Sequence, residues 1–123
     1  MIAQGKLLPE THMTNLDRVS VGDLAIVAWE MLAEWSQATF GLDSQRGPIG
    51  PLKHLAKEAI EAIAKPDDRS EYADCLILVF DAARRSGMGL LDLLIEVNKK
   101  IEINRQREWP KPTVPDEPIE HKK

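Results

Sequence analysis

Two pairs of acidic residues flank a proline in the stretch KEAIEAIAKPDDRSEYAD. Glu58 and Glu61 precede Pro66, and Glu71 and Asp74 follow it, with the members of each pair three positions apart. On a helix, residues three apart share a face and have Cβ atoms about 5–6 Å apart. Each pair therefore predicts two carboxylates that project together from one helix.

The two pairs are placed symmetrically about Pro66. If the helices on either side fold back antiparallel, as a short link favours, Glu58 meets Asp74 and Glu61 meets Glu71 in one cluster. Carboxylates about 6 Å apart repel by roughly 3 kcal/mol per pair at an effective dielectric constant of about 20. A cluster against packed surface therefore needs a cation, and magnesium takes carboxylate ligands together with substrate phosphates.

Two other interpretations of the acids are open. Surface carboxylates balanced by Lys57, Lys65 and Arg69 would need no metal ion. A di-iron site would need a Glu-x-x-His motif on each of two helices, and none of the three histidines follows a glutamate by three positions, which disfavours iron. His54 lies four positions before Glu58, so we expect it to be a hydrogen-bonding neighbour rather than a ligand.

The first predicted helix begins after Ser20, which forms a capping-box-like pair with Asp23, and ends near Gly41. Its apolar residues recur at the spacing of a buried helical face, at Leu24, Ala28, Met31, Trp35 and Ala38. The following stretch GLDSQRGPIGP is rich in glycine and proline and predicts a loop of about ten residues.

Three further helices are predicted. The second begins near Pro51 and ends before Pro66, because proline is accepted only in the first turn of a helix. The third is capped by Asp67 or Asp68 and runs to Gly87. The fourth covers about residues 90–108 and repeats apolar residues on one face, at Leu90, Leu94, Val97 and Ile101. No strand is predicted, so the fold class is all-α, with antiparallel helix pairs in a four-helix bundle-like arrangement.

The chain of 123 residues is long enough for one domain. We predict an irregular N-terminal arm over residues 1–18, an all-α domain over residues 19–109, and a flexible proline-rich tail over residues 110–123.

Composition excludes several classes of protein. A net charge of −4 argues against a surface that binds a nucleic-acid duplex. Neither a secretory leader nor an apolar run of membrane-spanning length is evident, so we expect a cytoplasmic protein without a membrane partner. Cys75 is the only cysteine, which rules out an internal disulfide, and we expect it to fill the core.

The stretch HLAKEAIEAIAKPDDRSEYADCLILVFDAARRSGMGLLDLLIEVNKKIEINRQREWP resembles the all-α nucleoside triphosphate pyrophosphohydrolases of the MazG type. In that family, E-x-x-E and E-x-x-D motifs on successive helices hold magnesium, and a K-x-x-x-N-x-x-R motif follows on a later helix. The upstream stretch FGLDSQRGPIGPLKHLAKE and the terminal REWP are similar to the dATP/dGTP diphosphohydrolase subgroup found in bacteriophages. The resemblance covers about residues 20–110, without the arm and the tail.

The resemblance implies a metal site and two catalytic carboxylates. Magnesium, which manganese could replace, would be held by Glu58, Glu61, Glu71 and Asp74. The ion would neutralise phosphate oxygens and lower the pKa of an attacking water. Any of the carboxylates could be the general base; the resemblance favours Glu61, with Glu58 as the second catalytic residue.

Basic residues on later helices are candidates for binding phosphate. Lys100, Asn104 and Arg107 match the downstream motif and lie on one helical face, although basic residues there could simply complement the helix dipole. One of Arg84 and Arg85 could also reach phosphate, and we expect Arg85, like His54, to support the site from behind the ligands. Asp81 lies seven positions after Asp74 and could anchor a basic residue.

A purine base needs a flat apolar surface. Trp35 and Phe40, near the end of the first helix, are candidates for stacking on it, although a tryptophan at helical spacing is more often part of the core. Polar residues nearby could hydrogen-bond to base edges, namely Ser36, Gln37 and Gln45. The glycine-rich loop could close over the substrate.

The sequence therefore favours a metal-dependent enzyme that hydrolyses dGTP, dATP or both to a deoxynucleoside monophosphate and pyrophosphate. Its product could feed phage 2-aminoadenine nucleotide synthesis, in which case the enzyme would act in the host cytoplasm. The alternatives are a non-catalytic all-α interaction module that binds a basic partner and a nucleotide sensor that binds without cleaving. The resemblance also implies a homo-oligomer, either a dimer or a tetramer.

Overall fold

The computed structural model describes residues 19–123, and in this range it contains four helices and no strand. In chain order the helices are α1 (Val21–Phe40), α2 (Ile49–Ala64), α3 (Arg69–Arg85) and α4 (Leu90–Gln106). The predicted all-α class is confirmed. The predicted arm over residues 1–18 lies outside the described residues. None of the described helices is both long and apolar enough to cross a membrane.

The chain divides into two compact units, Met1–Leu90 and Leu91–Lys123. The described part of the first unit contains α1, α2 and α3, and the second unit contains nearly all of α4 and the C-terminal segment. The predicted limits of the domain and of the tail, at residues 109 and 110, stay a prediction.

Helix α1 has the predicted ends. The Ser20 side chain accepts a hydrogen bond from the Asp23 backbone N–H at 3.0 Å, which satisfies a donor that the helix leaves unpaired. At the other end Gly41 has a φ angle of 117°, a conformation that glycine adopts without strain. Its backbone N–H closes the helix by donating to the Gln37 carbonyl at 3.2 Å.

Helices α2 and α3 form a hairpin with a short link. Helix α2 begins two residues before the predicted Pro51, which lies in its first turn, so the loop from α1 covers residues 41–48. Asp68 caps α3 by accepting from the Ser70 backbone N–H at 2.9 Å. The Tyr72 hydroxyl donates to the Pro66 carbonyl at 2.8 Å. These two bonds fix the turn between the helices.

The packed face of α1 differs from the predicted one. Leu32 and Ser36 are the buried residues of this helix, whereas Met31 and Trp35 are 36% and 54% exposed. Periodicity finds a helix with two adjacent apolar faces but does not decide which face meets α3. The choice depends on Ser36, which is fully buried because α3 supplies hydrogen-bonding partners for it.

The buried apolar core is small. Among the described residues, the buried hydrophobic side chains are Leu32, Ala82 and Ala83. Trp29 and Phe80 extend the contact between α1 and α3, with ring centroids 5.1 Å apart. Cys75, which we expected in the core, is only half-buried. Much apolar surface of α1 and α3 therefore stays exposed in the single chain.

The second unit also exposes its apolar face. The predicted apolar stripe of α4 is not buried, since Leu94, Val97 and Ile101 are 43%, 46% and 52% exposed. The segment after α4 returns to the end of this helix. There the Lys122 backbone N–H donates to the Glu108 carbonyl at 2.8 Å, and the His121 ring lies 5.7 Å from the Trp109 ring.

The cap at Asp68 predicts a pH dependence of stability. Hydrogen bonds from the Ser70 side chain and backbone hold the pKa of Asp68 below its ordinary value of 3.8. A depressed folded-state pKa contributes stability that is present above the unfolded pKa and lost as the pH falls through the folded pKa. We expect Asp68→Asn to lower the melting temperature at pH 6, with the difference from wild type shrinking below pH 3.8.

The matched control for this experiment is Asp67→Asn, which removes the same charge at a position that does not cap α3. Melting should be followed by circular dichroism between pH 2.5 and 7. A difference between wild type and Asp68→Asn that stays constant over this range would contradict the assignment.

Candidate active site

The hairpin brings three acidic side chains together. One carboxylate oxygen from each of Glu58 and Glu61 on α2 and Glu71 on α3 lies within 4.8 Å of the other two. Glu71 is 7% exposed, Glu58 is half-buried and Glu61 is exposed. The turn at Pro66 thus places carboxylates from both sides of the sequence motif in one acidic cluster.

Two oxygens of this acidic cluster have no protein partner. Glu58 Oε2 and Glu71 Oε2 are buried and accept no hydrogen bond from any described residue. Taking a carboxylate oxygen out of water without a partner is costly, and buried polar atoms in proteins are nearly always satisfied. Because all the donors are oxygen atoms, the cluster fits a hard divalent cation such as magnesium.

The pKa of Glu58 is raised by the neighbouring acidic residues. A hydrogen bond with the Glu61 carboxyl group raises the pKa of Glu58 above its ordinary value of 4.5, and burial and the charges of Glu61 and Asp74 raise it further. His54 acts in the opposite direction. A bound cation would offset this negative charge and favour the ionised form of Glu58.

His54 and Asp74 lie at the edge of the acidic cluster. His54 Nε2 is 3.6 Å from Glu58 Oε1, and the His54 side chain is 57% exposed. Asp74, the fourth predicted ligand, is exposed and is not part of the group within 4.8 Å. It lines a cavity together with Glu58, and its charge acts on that residue.

This cavity joins the acids to the predicted aromatic pair. It has a volume of about 170 Å³ and is lined by Trp35 and Phe40 from α1 as well as by Glu58, Asp74 and Asp81. The two aromatic rings meet edge to face, with centroids 5.2 Å apart. Trp35 and Phe40 are 54% and 48% exposed, so Trp35 is not part of the core that the single chain buries.

Asp81 anchors two basic residues, as its position on α3 suggested. Its carboxylate accepts from Ser36 Oγ at 2.7 Å, from Arg84 Nη2 at 2.8 Å and from Arg85 Nε at 3.3 Å. Burial alone would raise the pKa of Asp81, but the hydrogen bonds from Arg84, Ser36 and Arg85 outweigh it and hold the pKa below its ordinary value. We call Ser36, Asp81, Arg84 and Arg85 the buried polar network.

The two arginines are occupied by the protein itself. The Arg85 side chain is 1% exposed and donates to the carbonyls of Gly41 and Arg46 at 3.0 and 3.1 Å. Arg84 Nη1 binds Asp43 Oδ2 at 2.6 Å. Burial opposes the charge of Arg84, but its hydrogen bonds to Asp81 and Asp43 raise its pKa. Neither arginine is free to bind phosphate in this structure, and Arg85 supports the loop at residues 41–48 rather than a metal ligand.

The polar residues expected at the base edge also have other partners. Ser36 is fully buried and bonds to Asp81 and Arg85. Gln37 Oε1 accepts from the Asp43 backbone N–H at 3.3 Å, and Gln45 Oε1 accepts from the Leu42 N–H at 3.4 Å. In this structure they hold the loop.

In the second unit, the predicted phosphate-binding residues lie at the end of α4. Lys100 is exposed, and Asn104 and Arg107 are half-buried. Arg107 Nη1 donates to Asn104 Oδ1 at 3.1 Å, and Trp109 Nε1 donates to the Asn104 carbonyl at 2.7 Å. These bonds orient the amide and the guanidinium group.

The comparisons with known proteins agree with the sequence motifs. A family model described as dATP/dGTP pyrophosphohydrolase matches residues 28–123, and so includes the C-terminal segment that the resemblance left out. The chain is similar to the Eaa protein of Salmonella phage P22, with 48% identity over 80 residues, or 65% of this chain. The match covers 24% of that protein, so the chain spans about a quarter of its length. No solved structure matches the chain.

The acidic cluster predicts stabilisation by magnesium. A ligand that binds only the folded chain stabilises it by about 2.7 kcal/mol at ~100 times its dissociation constant. We expect the melting temperature to rise with magnesium concentration and most of this rise to disappear in Glu71→Gln. Without metal, Glu71→Gln should melt higher than wild type at neutral pH, because it removes a buried, unpaired charge.

Glu30→Gln, which changes an exposed glutamate on α1, is the control. Differential scanning calorimetry with and without a chelator gives the shifts. Equal magnesium-induced shifts in wild type and Glu71→Gln would exclude Glu71 as a ligand.

The buried polar network predicts a large difference between two aspartates. Asp81→Ala should lower the free energy of unfolding by about 3 kcal/mol, since it leaves two buried guanidinium groups with only the partly exposed Asp43 as a counter-charge. Asp43→Ala removes a partly exposed partner and should cost about 0.5 kcal/mol. Urea unfolding measures both, and Asp81→Asn, which keeps an oxygen acceptor, should fall between them. Similar losses for the two alanine variants would contradict this account.

Proposed function

Since the chain belongs to the dATP/dGTP pyrophosphohydrolase family, we propose that it hydrolyses dGTP, dATP or both between the α and β phosphates. The products are a deoxynucleoside monophosphate and pyrophosphate. The observation that supports this proposal is the pair of buried, unpartnered oxygens of Glu58 and Glu71, which come from two helices and which a cation would satisfy. In a phage-infected cell, the enzyme would act in the host cytoplasm, and its monophosphate product would be available to 2-aminoadenine nucleotide synthesis.

The proposed metal ligands are the acidic cluster and Asp74. Glu58, Glu61 and Glu71 already converge, and Asp74 lies on the cavity wall beside Glu58. When bound, magnesium supplies positive charge for the phosphate oxygens and lowers the pKa of a water molecule. Manganese prefers the same carboxylate ligands and could replace it.

Within this site Glu61 is the proposed general base. It is the exposed member of the acidic cluster, so water and substrate can reach its carboxylate. The attacking water gives its proton to Glu61 as its oxygen bonds to the α-phosphorus, and the bond to the bridging oxygen breaks so that pyrophosphate leaves with the electron pair. Glu58 is the proposed second catalytic carboxylate, because it lies beside Glu61 in the acidic cluster.

Lys100, Asn104 and Arg107 are the proposed phosphate ligands. Lysine offers a compact charge, and arginine offers a planar fork that matches two phosphate oxygens. The bond from Arg107 to Asn104 orders the guanidinium group before a ligand arrives. Such ordering lowers the entropic cost of binding.

The proposed base-binding surface is the aromatic pair Trp35 and Phe40. Both rings line the cavity that also contains Glu58 and Asp74, so a base stacked there lies on the same side as the acids. Stacking of a base on an aromatic side chain is worth about 1–3 kcal/mol.

We also propose that the enzyme is a homo-oligomer, either a dimer or a tetramer. The cavity of about 170 Å³ in one chain is smaller than the ~300–1,000 Å³ of typical ligand pockets. Beside it lies an apolar surface formed by Ala28, Met31, Leu32, Trp35 and Ile77. A second copy that covers this surface would bury its apolar area and deepen the cavity.

The proposed reaction is tested with a panel of nucleotides. We expect magnesium-dependent release of pyrophosphate, and not of single phosphate, with dGTP or dATP preferred over pyrimidine and ribonucleotide substrates. The double variant Glu58→Gln/Asp74→Asn should lose more than about 100-fold in rate, because even outer partners of metal ligands contribute 10–100-fold.

Glu96→Gln, an exposed glutamate of α4 paired with Lys99, is the control and should keep wild-type activity. Nucleotide binding without any product would favour a sensor. If neither binding nor hydrolysis is detected in the folded protein, an interaction module is the remaining interpretation.

A further inference from the structure

Arg85 connects three parts of the first unit through one buried side chain. Its guanidinium group donates to Asp81 on α3, to Ser36 in the last turns of α1, and to the carbonyls of Gly41 and Arg46 in the loop at residues 41–48. Five N–H donors in a planar fork make these simultaneous contacts, which lysine cannot reproduce. Since the Arg85 side chain is only 1% exposed, it does not contact a ligand directly and acts through the residues to which it donates hydrogen bonds.

The middle of the loop is fastened to the same helix. Asp43 pairs with Arg84 Nη1 at 2.6 Å and with Arg85 Nη1 at 3.5 Å. The Asp43 side chain is 40% exposed, whereas the two arginines are 7% and 1% exposed. The loop is therefore tied to α3 near its beginning, near its middle and at Arg46.

The buried polar network lies directly behind the aromatic wall of the cavity. Trp35 precedes Ser36 in the chain, and Phe40 precedes Gly41, whose carbonyl Arg85 holds. Asp81 itself lines the cavity with both rings. Because adjacent residues on a helix point in different directions, fixing Ser36 inward fixes Trp35 toward the cavity.

We propose that Arg85 is a positioning residue that determines how well the enzyme binds the base of its substrate. It holds Trp35 and Phe40 in the cavity wall through Ser36, Asp81 and the loop carbonyls. This inference rests on the proposed function, because it takes the aromatic pair as the base-binding surface. The contacts of Arg85 described above do not include the acidic cluster, and the turn of the α2–α3 hairpin has hydrogen bonds of its own at Asp68 and Pro66.

The expected effect is a change in KM rather than in kcat. Stacking of a base on aromatic residues accounts for about 5- to 150-fold in affinity. In Arg85→Lys, which keeps the positive charge beside Asp81 but loses the fork, we expect KM for dGTP and dATP to rise about tenfold and kcat to change less than about threefold. Inhibition by inorganic tripolyphosphate, which has no base, should be unchanged.

Arg105→Lys is the matched control, because the Arg105 side chain is 73% exposed and pairs with Glu102 on the surface of α4. An unchanged KM in folded Arg85→Lys, or an equal weakening of tripolyphosphate inhibition, would overturn the proposal. If Arg85→Lys does not fold, Asp43→Asn loosens the loop from its exposed side. A smaller rise in KM then supports the proposal, and an unchanged KM refutes it.

The failure of this inference differs from the failure of the proposed function. A wild-type protein that releases no pyrophosphate refutes the proposed reaction alone. In that case, calorimetry measures the affinities of wild type and Arg85→Lys for an α,β-imido analogue of dGTP and for tripolyphosphate. These affinities test the role of Arg85 without turnover. A loss of affinity confined to the nucleotide supports the role of Arg85, and a loss shared by both ligands overturns it.

Discussion

Repulsion between carboxylates across the α2–α3 hairpin is the constraint on which the site depends. One carboxylate oxygen from each of Glu58, Glu61 and Glu71 lies within 4.8 Å of the other two, and two oxygens of these residues are buried without a partner among the described residues. The turn resists this repulsion through the Asp68 cap and the bond from Tyr72 to Pro66, both of which lie outside the cluster. The hairpin therefore keeps a preformed cluster of negative charge, and the proposed cation would offset its unfavourable energy on binding.

Helix α3 contains two buried acidic residues that differ in their hydrogen bonding. The carboxylate of Asp81 accepts hydrogen bonds from one serine and two arginines. These bonds connect α3 to α1 and, through the arginines, to the loop at residues 41–48. Glu71, on the same helix, has a buried oxygen that no described residue satisfies. Buried polar atoms are normally paired, so the difference separates a structural carboxylate from one that is available to a ligand. Burial alone would not distinguish them, since both residues are less than 10% exposed.

Residue types and spacings within each segment predicted the helices and the acidic hairpin. They did not predict contacts between residues that are far apart in the sequence. Ser20, Gly41 and Asp68 act through neighbouring backbone groups, so their roles follow from residue type and spacing. The i, i+3 and i, i+4 spacing of Asp81 to Arg84 and Arg85 was a usable signal for an ion pair. Nothing local indicated that Ser36 would be their partner, since it lies 45 residues before Asp81. For that reason the sequence analysis predicted the wrong packed face of α1 and did not predict the buried contacts of Arg85.

The single chain is incomplete in three respects. The acidic cluster lacks counter-charge, the cavity is smaller than a nucleotide pocket, and the described part of the chain buries few apolar side chains. The proposed cation would supply only the counter-charge, because it adds no apolar contact. The proposed second copy would account for the other two features, because the exposed apolar surface that includes Met31, Trp35 and Ile77 borders the cavity through Trp35 and Ile77. Association and substrate binding would then use the same aromatic residue, so the network that holds Trp35 in place would affect both.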